Sequence, residues 1–288
     1  MSKKRNAGIL GYEALFEKPT TEETLELMRS PEITGYRTRT VKAGDELESI
    51  IYPIYRKKTQ RSARETVTRE AQQRLNNWNS SRRFMRLAHA NFGPKDLYIT
   101  LTSEVAPTME QAHRDIENYL RRVARWRKKH GLPKAKYLYV IEYDDDGREV
   151  RTHQHVIMSD MDRDVAEALW RRGRTQSSRL QPDGKGLEGL SKYLTKPCKK
   201  GKRWNGSRNL TKPTDTVADH KFRHRQAERM VMDCMIAAKE IFEKAYPGYE
   251  FIECDARANG LFPGAHIYTQ MRRRQNITDG GKKRRRNE

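Results

Sequence analysis

The stretch from residue 95 to residue 200 constrains this chain most, because its hydrophobic period switches repeatedly between two and three-to-four. Leu97–Thr102 alternates apolar with polar or hydroxylated residues, the pattern of a strand with one buried face. Thr108 and Gln111 form a capping-box pair. The helix they open runs to about His130, where Gly131 and Pro133 stop it. Its apolar stripe is Met109, Ala112, Ile116, Tyr119, Leu120, Val123 and Trp126. Tyr137–Tyr143 and Arg151–Met158 read as strands joined by a hairpin turn at Asp144-Asp145-Asp146-Gly147. Val165–Arg172 reads as helix, Ser177–Gln181 as a short strand, and Leu187–Lys196 as a helix ended by Pro197. This order predicts an α+β fold, with helices packed on an antiparallel β-sheet.

The flanks divide by composition. Residues 1–10 and 275–288 are basic arms, the second ending in Lys282-Lys283-Arg284-Arg285-Arg286. Blocks of like charge repel, so both arms are expected to be disordered. Residues 11–90 are expected to form an extension packed on the core. They hold a short polar helix from Thr21, closed by Pro31, and a hairpin turning at Ala43-Gly44-Asp45. A long polar helix over 60–90 follows, broken from the core at Gly93-Pro94. The core is expected over 91–215. Residues 216–274 are expected to complete the domain with one helix over 219–246 and strands at Tyr249–Asp255 and Ala265–Gln270.

Composition then narrows the function. The chain has 288 residues, with 59 Lys+Arg against 38 Asp+Glu, giving +21 at pH 7. No apolar run approaches the roughly 20 residues of a membrane-spanning helix, and no secretory signal is readable. Cys198, Cys234 and Cys254 are too few and too scattered for a disulfide framework or a paired zinc site. A cytoplasmic protein with a polyanionic partner is the expectation, since each phosphate neutralised by Lys or Arg releases a condensed counterion. The cations nominated for DNA contact are Arg114, Arg121, Arg122 and Arg125 on the polar face of the 108–130 helix. Lys192, Lys199, Lys200, Lys202, Arg203 and Arg208 join them further on.

Two groups of residues carry chemistry. His153 and His155 flank Gln154 on a strand, so their side chains share one face. A two- or four-residue turn at 144–147 puts Glu142 of the preceding strand on that face, at cross-strand distance. Leu138 and Val140 share it, and a carboxylate among apolar neighbours is costly unless paired or metal-bound. Two imidazoles and a carboxylate with open positions suit Mg²⁺ or Mn²⁺. The alternative is that Glu142 pairs with Arg148 or Arg151 across the hairpin. The second group is Tyr193 and Lys196, three apart on one helix face. A phenol titrating near 10 is a poor nucleophile at neutral pH unless a cation offsets the developing charge. Tyr193 could equally be an ordinary half-buried helix aromatic.

In this order these residues resemble the HUH endonucleases, specifically the rolling-circle replication initiators (Rep proteins) of phages, plasmids and integrative elements. The strand "LYITLT", carrying Thr100 and Thr102, corresponds to the first motif. His153-Gln154-His155 with Glu142 corresponds to the second, and Tyr193-Leu194-Thr195-Lys196 to the third. The resemblance implies a divalent metal, Mg²⁺ or Mn²⁺, on Glu142, His153 and His155. It also implies nicking of single-stranded origin DNA by Tyr193 through a 5′-phosphotyrosine intermediate, with Lys196 assisting. Two departures stand out: the residue between the histidines is Gln154 rather than a hydrophobic one, and the third motif holds one tyrosine, which points to the single-tyrosine branch. No Gly-x-x-x-x-Gly-Lys-[Ser/Thr] occurs, so a host or partner helicase, with a DNA polymerase, would complete the process. A relaxase or single-tyrosine transposase would share the chemistry. A non-catalytic DNA- or RNA-binding regulator would share only the charge.

Overall fold

Along the chain, helix α1 (Thr21–Met28) leads into the hairpin β1 (Ile33–Ala43) and β2 (Glu46–Tyr55), and the long helix α2 (Arg69–Asn91) follows. Next come β3 (Leu97–Ser103), α3 (Met109–Lys129), β4 (Tyr137–Glu142), β5 (His153–Met158), α4 (Arg163–Ala168), β6 (Gly173–Arg179) and α5 (Glu188–Leu194). The chain continues through β7 (Asn205–Gly206), β8 (Thr214–Asp219), α6 (His224–Met232), α7 (Ile236–Ala245), β9 (Tyr249–Asn259) and β10 (Phe262–Arg273). A computed structural model describes residues 20–56, 69–142, 152–196, 204–259 and 262–274. The two basic arms, the 144–147 turn, Arg148, Arg151, Cys198, Lys199, Lys200, Lys202 and Arg203 lie outside the described residues.

The molecule is α+β, with two five-stranded antiparallel sheets and seven helices among the described residues. The first sheet has the order β6-β3-β5-β4-β7. Alternation along β3 sends Leu97, Ile99 and Leu101 to one face, where they are fully buried under α3 with Ile116, Tyr119 and Val123. Thr108 caps α3 by accepting from the Gln111 amide at 3.2 Å, as its sequence predicts. The opposite face carries Leu138, Val140 and Ile157, covered by Phe84 and Ala88 of α2 and by Leu187 and Leu194 around α5.

The second sheet, β8-β1-β2-β10-β9, is assembled from both ends of the chain. The hairpin expected around Gly44 forms its centre, and the strands expected near 250 and 265 pair with each other and onto β2. The sheet pairing thus cuts across the expected sequence divisions, because residues 249–273 lie beside residues 33–55 and not beside β3–β6. Helices α1, α6 and α7 cover this second sheet through Met28, Met230, Ile241 and Phe242.

The single helix expected over 219–246 is replaced by strand β8 and two helices. Asp233 leaves helical geometry (φ −140°, ψ 91°), and its carboxylate accepts the amides of Met235, Ile236 and Ala237 at 2.8–3.2 Å. A carboxylate that caps a new helix start ends the old one. Three boundaries in the core also move. Strand β6 begins at Gly173, before the expected Ser177, because it pairs along all of β3. Helix α4 ends at Ala168, before the expected Arg172, and Arg171 adopts φ 58°. The 60–90 helix is described only from Arg69.

Candidate active-site cleft

Strand register assembles the cleft. Glu142 lies opposite His153, and Val140 opposite His155, as the hairpin parity requires. On the other side of β5, Thr102 pairs with His153 and Thr100 with His155. Glu142, His153, His155, Tyr98, Thr100 and Thr102 therefore share one face and line a cleft of about 400 Å³, closed by Arg174, Thr175 and Gln176 of β6 and by Tyr193.

Hydroxyl groups of β3 hold both imidazoles by the same ring nitrogen. Thr102 Oγ1 lies 2.9 Å from His153 Nδ1. Tyr98 Oη lies 2.9 Å, and Thr100 Oγ1 3.3 Å, from His155 Nδ1. A hydroxyl can donate to a bare nitrogen or accept from a protonated one, so this support serves either tautomer. It fixes the rings so that Nε2 is the nitrogen on the far side from β3. His155 Nε2 meets Glu142 Oε2 at 3.0 Å. Burial lowers the pKa of His155, against the pull of Glu142 and with the push of His153 and Lys196, which favours a neutral imidazole. Burial raises the Tyr98 phenol, keeping it protonated beside that ring.

Tyr193 is on the same side as the histidines. It is 46 % exposed on α5, and its ring stands edge-on to His155 with centroids 6.0 Å apart. Lys196 Nζ lies 4.2 Å from the Tyr193 ring centroid. The i, i+3 spacing thus brings the cation and the phenol together, and the tertiary packing of α5 brings both to the histidine face.

The expected ligand set is assembled in part. Among the described residues no group of three or more His, Cys, Asp and Glu side chains is arranged to hold a metal ion. Glu142 and His155 are bonded directly to each other, and the His153 ring lies 6.3 Å from that of His155 at a 51° tilt.

The nominated DNA contacts separate. Arg114, Arg121, Arg122 and Arg125 belong to α3, behind the sheet from the cleft. Arg122 spends its guanidinium on the Leu169 and Trp170 carbonyls, at 2.7 and 2.8 Å, and so ties α3 to the end of α4. Arg114 and Arg121 make exposed one-turn pairs with Glu110 and Glu117. Lys192 pairs with Glu188 on α5, and Arg208 lies beside Trp204 at another groove. Sequence reasoning left out Tyr98, Arg174 and Gln176. The alternation of Leu97–Thr102 already puts Tyr98 on the face of Thr100 and Thr102, whereas nothing in the sequence announces that β6 closes the cleft.

Residues 96–200 match the family model of the ORF2-type replication-associated proteins. No curated protein and no solved structure matches the chain. The matched span contains Thr100, Thr102, Glu142, His153, His155, Tyr193 and Lys196, and it supports a role in DNA replication and its initiation.

Proposed function

We propose that the chain nicks single-stranded DNA at a replication origin and transfers the cut strand to itself, with Tyr193 as nucleophile. The observation that carries this reading is the Tyr193 ring standing 6.0 Å from His155 in the cleft, under the Lys196 ammonium. Attack would form a bond from the Tyr193 phenolic oxygen to phosphorus while the bond from phosphorus to the 3′ oxygen breaks. The phenol's proton is lost and the departing 3′ oxygen gains one, leaving a 5′-phosphotyrosine and a free 3′-OH. One phosphodiester bond is exchanged for another, so rejoining needs no nucleotide triphosphate, and the free 3′-OH can prime a polymerase.

Glu142, His153 and His155 would hold a Mg²⁺ or Mn²⁺ ion. The fit rests on both Nδ1 atoms being engaged by β3 hydroxyls, the outer-shell support that orients ligating imidazoles. Such an ion supplies charge to polarise the scissile phosphate. For their part, Tyr98, Thr100 and Thr102 orient the imidazoles, Lys196 offsets negative charge at the phenolate, and Arg174 lies in reach of a phosphate in the cleft. Unwinding and synthesis fall to a partner helicase and polymerase, and one tyrosine suits the single-tyrosine branch of initiators.

The test incubates the full chain with origin-like single-stranded DNA and Mn²⁺ or Mg²⁺, and reads the covalent adduct on a denaturing gel. Tyr193→Phe should abolish the adduct while retaining DNA binding. An undiminished adduct in Tyr193→Phe sinks this assignment. Absence of adduct from the unmodified chain with either metal favours the non-catalytic binding protein.

A further inference from the structure

The cleft is poor in positive charge for a site that must hold a polyanion. Among its lining residues Arg174 is the sole Lys or Arg. A second groove of about 810 Å³ lies between α2, β1, β8 and residues 204–213, and its charge is the reverse. Arg39, Arg83, Arg86, Arg208 and Lys212 line it against one carboxylate, Asp215.

Pairing leaves the surplus on three of those cations. Arg39 is forked onto Asp215 at 2.5–3.0 Å. Arg86 is bound to Glu48 at 2.7 and 3.0 Å. Among the described residues Arg83, Arg208 and Lys212 have no carboxylate partner. Arg83 instead lies 5.8 Å from the ring centroid of Trp204, whose indole nitrogen donates to Ser80 and whose ring meets Phe84 edge-on. A rigid, hydrogen-bonded tryptophan therefore holds a guanidinium at the groove without neutralising it. Three unneutralised cations in one groove repel one another, and an anionic chain passing among them relieves that repulsion. The apolar floor (Val41, Leu87, Leu210) offers little to read a base edge. Placement favours the same conclusion: Trp204 and Leu210 pack with the cluster on the histidine side of the first sheet, whereas the α3 arginines lie behind it.

We infer that this groove is a phosphodiester-backbone site, separate from the cleft, in which Arg83, Arg208 and Lys212 hold DNA that continues beyond the reacting strand. It rests on the DNA reading above, but its test needs no chemistry. In a Tyr193→Phe background, equilibrium binding of a fluorescent oligonucleotide is measured over a range of salt, as a single strand and as the duplex of the same sequence. The probe that uses the groove identifies its occupant.

For Arg83→Gln/Arg208→Gln/Lys212→Gln, the log–log salt slope on that probe should fall by about 2 if single-stranded or about 3 if duplex. Affinity near physiological salt should drop roughly 50-fold or more. Arg83→Lys/Arg208→Lys, which keeps the charges, should retain the slope, and Arg114→Gln/Arg125→Gln on α3 should change it less than the triple variant. An unchanged slope on both probes overturns the proposal. So does equal loss in the charge-keeping variant, since the grip would then depend on packing. Adduct formation by the unmodified chain is read in parallel. A normal adduct with groove-independent binding removes the groove alone, and groove-dependent binding without adduct removes the nicking reaction alone.

Discussion

Gln154 sits between the two histidines and points the opposite way. It is fully buried, and neither amide atom has a hydrogen-bond partner within the described chain. Its neighbours on adjacent strands are Leu101 and Ile141, on the apolar side that packs under α3. A buried amide without partners costs about 1–3 kcal/mol, whereas an apolar side chain of similar size there costs nothing in desolvation. Gln154→Leu should therefore raise stability by about 1–2 kcal/mol in urea melts and leave metal-dependent adduct formation intact. A destabilised variant would mean that the amide has a partner beyond the chain itself. The same strand shows how finely a site depends on alternation: one residue's shift would exchange Gln154 for the histidines in the cleft.

At the scale of elements, the position of α5 decides whether Tyr193 meets the histidines, and one imidazole fixes its entry. His89, near the end of α2, accepts the Leu187 amide on Nε2 at 3.0 Å. Around it the backbone passes too closely for side chains. Gly186 has φ 69°, and a Cβ there would lie 2.9 Å from His89 Nε2. Gly44, at the β1–β2 turn, has φ 62° and presses against the His89 carbonyl. Burial lowers His89 to about 4, with Arg272 adding to the effect and Glu48, Glu188 and Asp183 opposing it. In the unfolded chain an imidazole titrates near 6.5. The neutral form is thus the folded form. Its contribution is complete above about pH 6.5 and fades as pH falls toward 4, by at most about 3 kcal/mol. Denaturant melts across that window should show the loss, and His89→Gln should flatten it. Some slope will remain, since burial also lowers His155 and His266. A slope identical in the variant would remove His89 from the account.

At the scale of the molecule, α2 joins the two sheets. Its apolar residues Phe84 and Ala88 face the first sheet, while Arg82 and Arg86 both bind Glu48 of β2 in the second. Burial alone would raise Glu48, but the two guanidiniums outweigh it and hold the carboxyl below its usual range. Arg82 is also stacked between Trp78 and Tyr268, 4.5 and 4.3 Å from their ring centroids. Glu48→Ala would leave two part-buried guanidiniums sharing no anion, and should cost about 3–5 kcal/mol. Asp219→Ala, which breaks the exposed pair with Arg37 on β1, should cost less than about 1 kcal/mol. Comparable losses in the two variants, by thermal or urea melts, would show that α2 is not held through Glu48. Net charge also resolves at this scale: the α3 arginines are behind the first sheet and half-spent on local bonds, while the unpaired cations line the groove beside α2.

Much of the site was legible in the chain because its elements are local. Period-two alternation over Leu97–Thr102 and His153–Met158, with the parity of the intervening hairpin, was enough to place Glu142, His153, His155, Thr100 and Thr102 on one face. The i, i+3 spacing was enough to place Lys196 beside Tyr193. These follow from backbone geometry that any strand or helix imposes. Other features depended on contacts between residues far apart in sequence. Only the fold determined that α5 turns Tyr193 toward the histidines, that β6 closes the cleft, and that residues 33–55 and 249–273 share a sheet. Only the fold showed which cations keep their charge and which are spent. Strand partners from opposite ends of a chain leave no periodic trace, and a guanidinium beside a carbonyl reads in sequence like one facing water. The residue types and their spacing set the chemistry available, and long-range packing set where it converges.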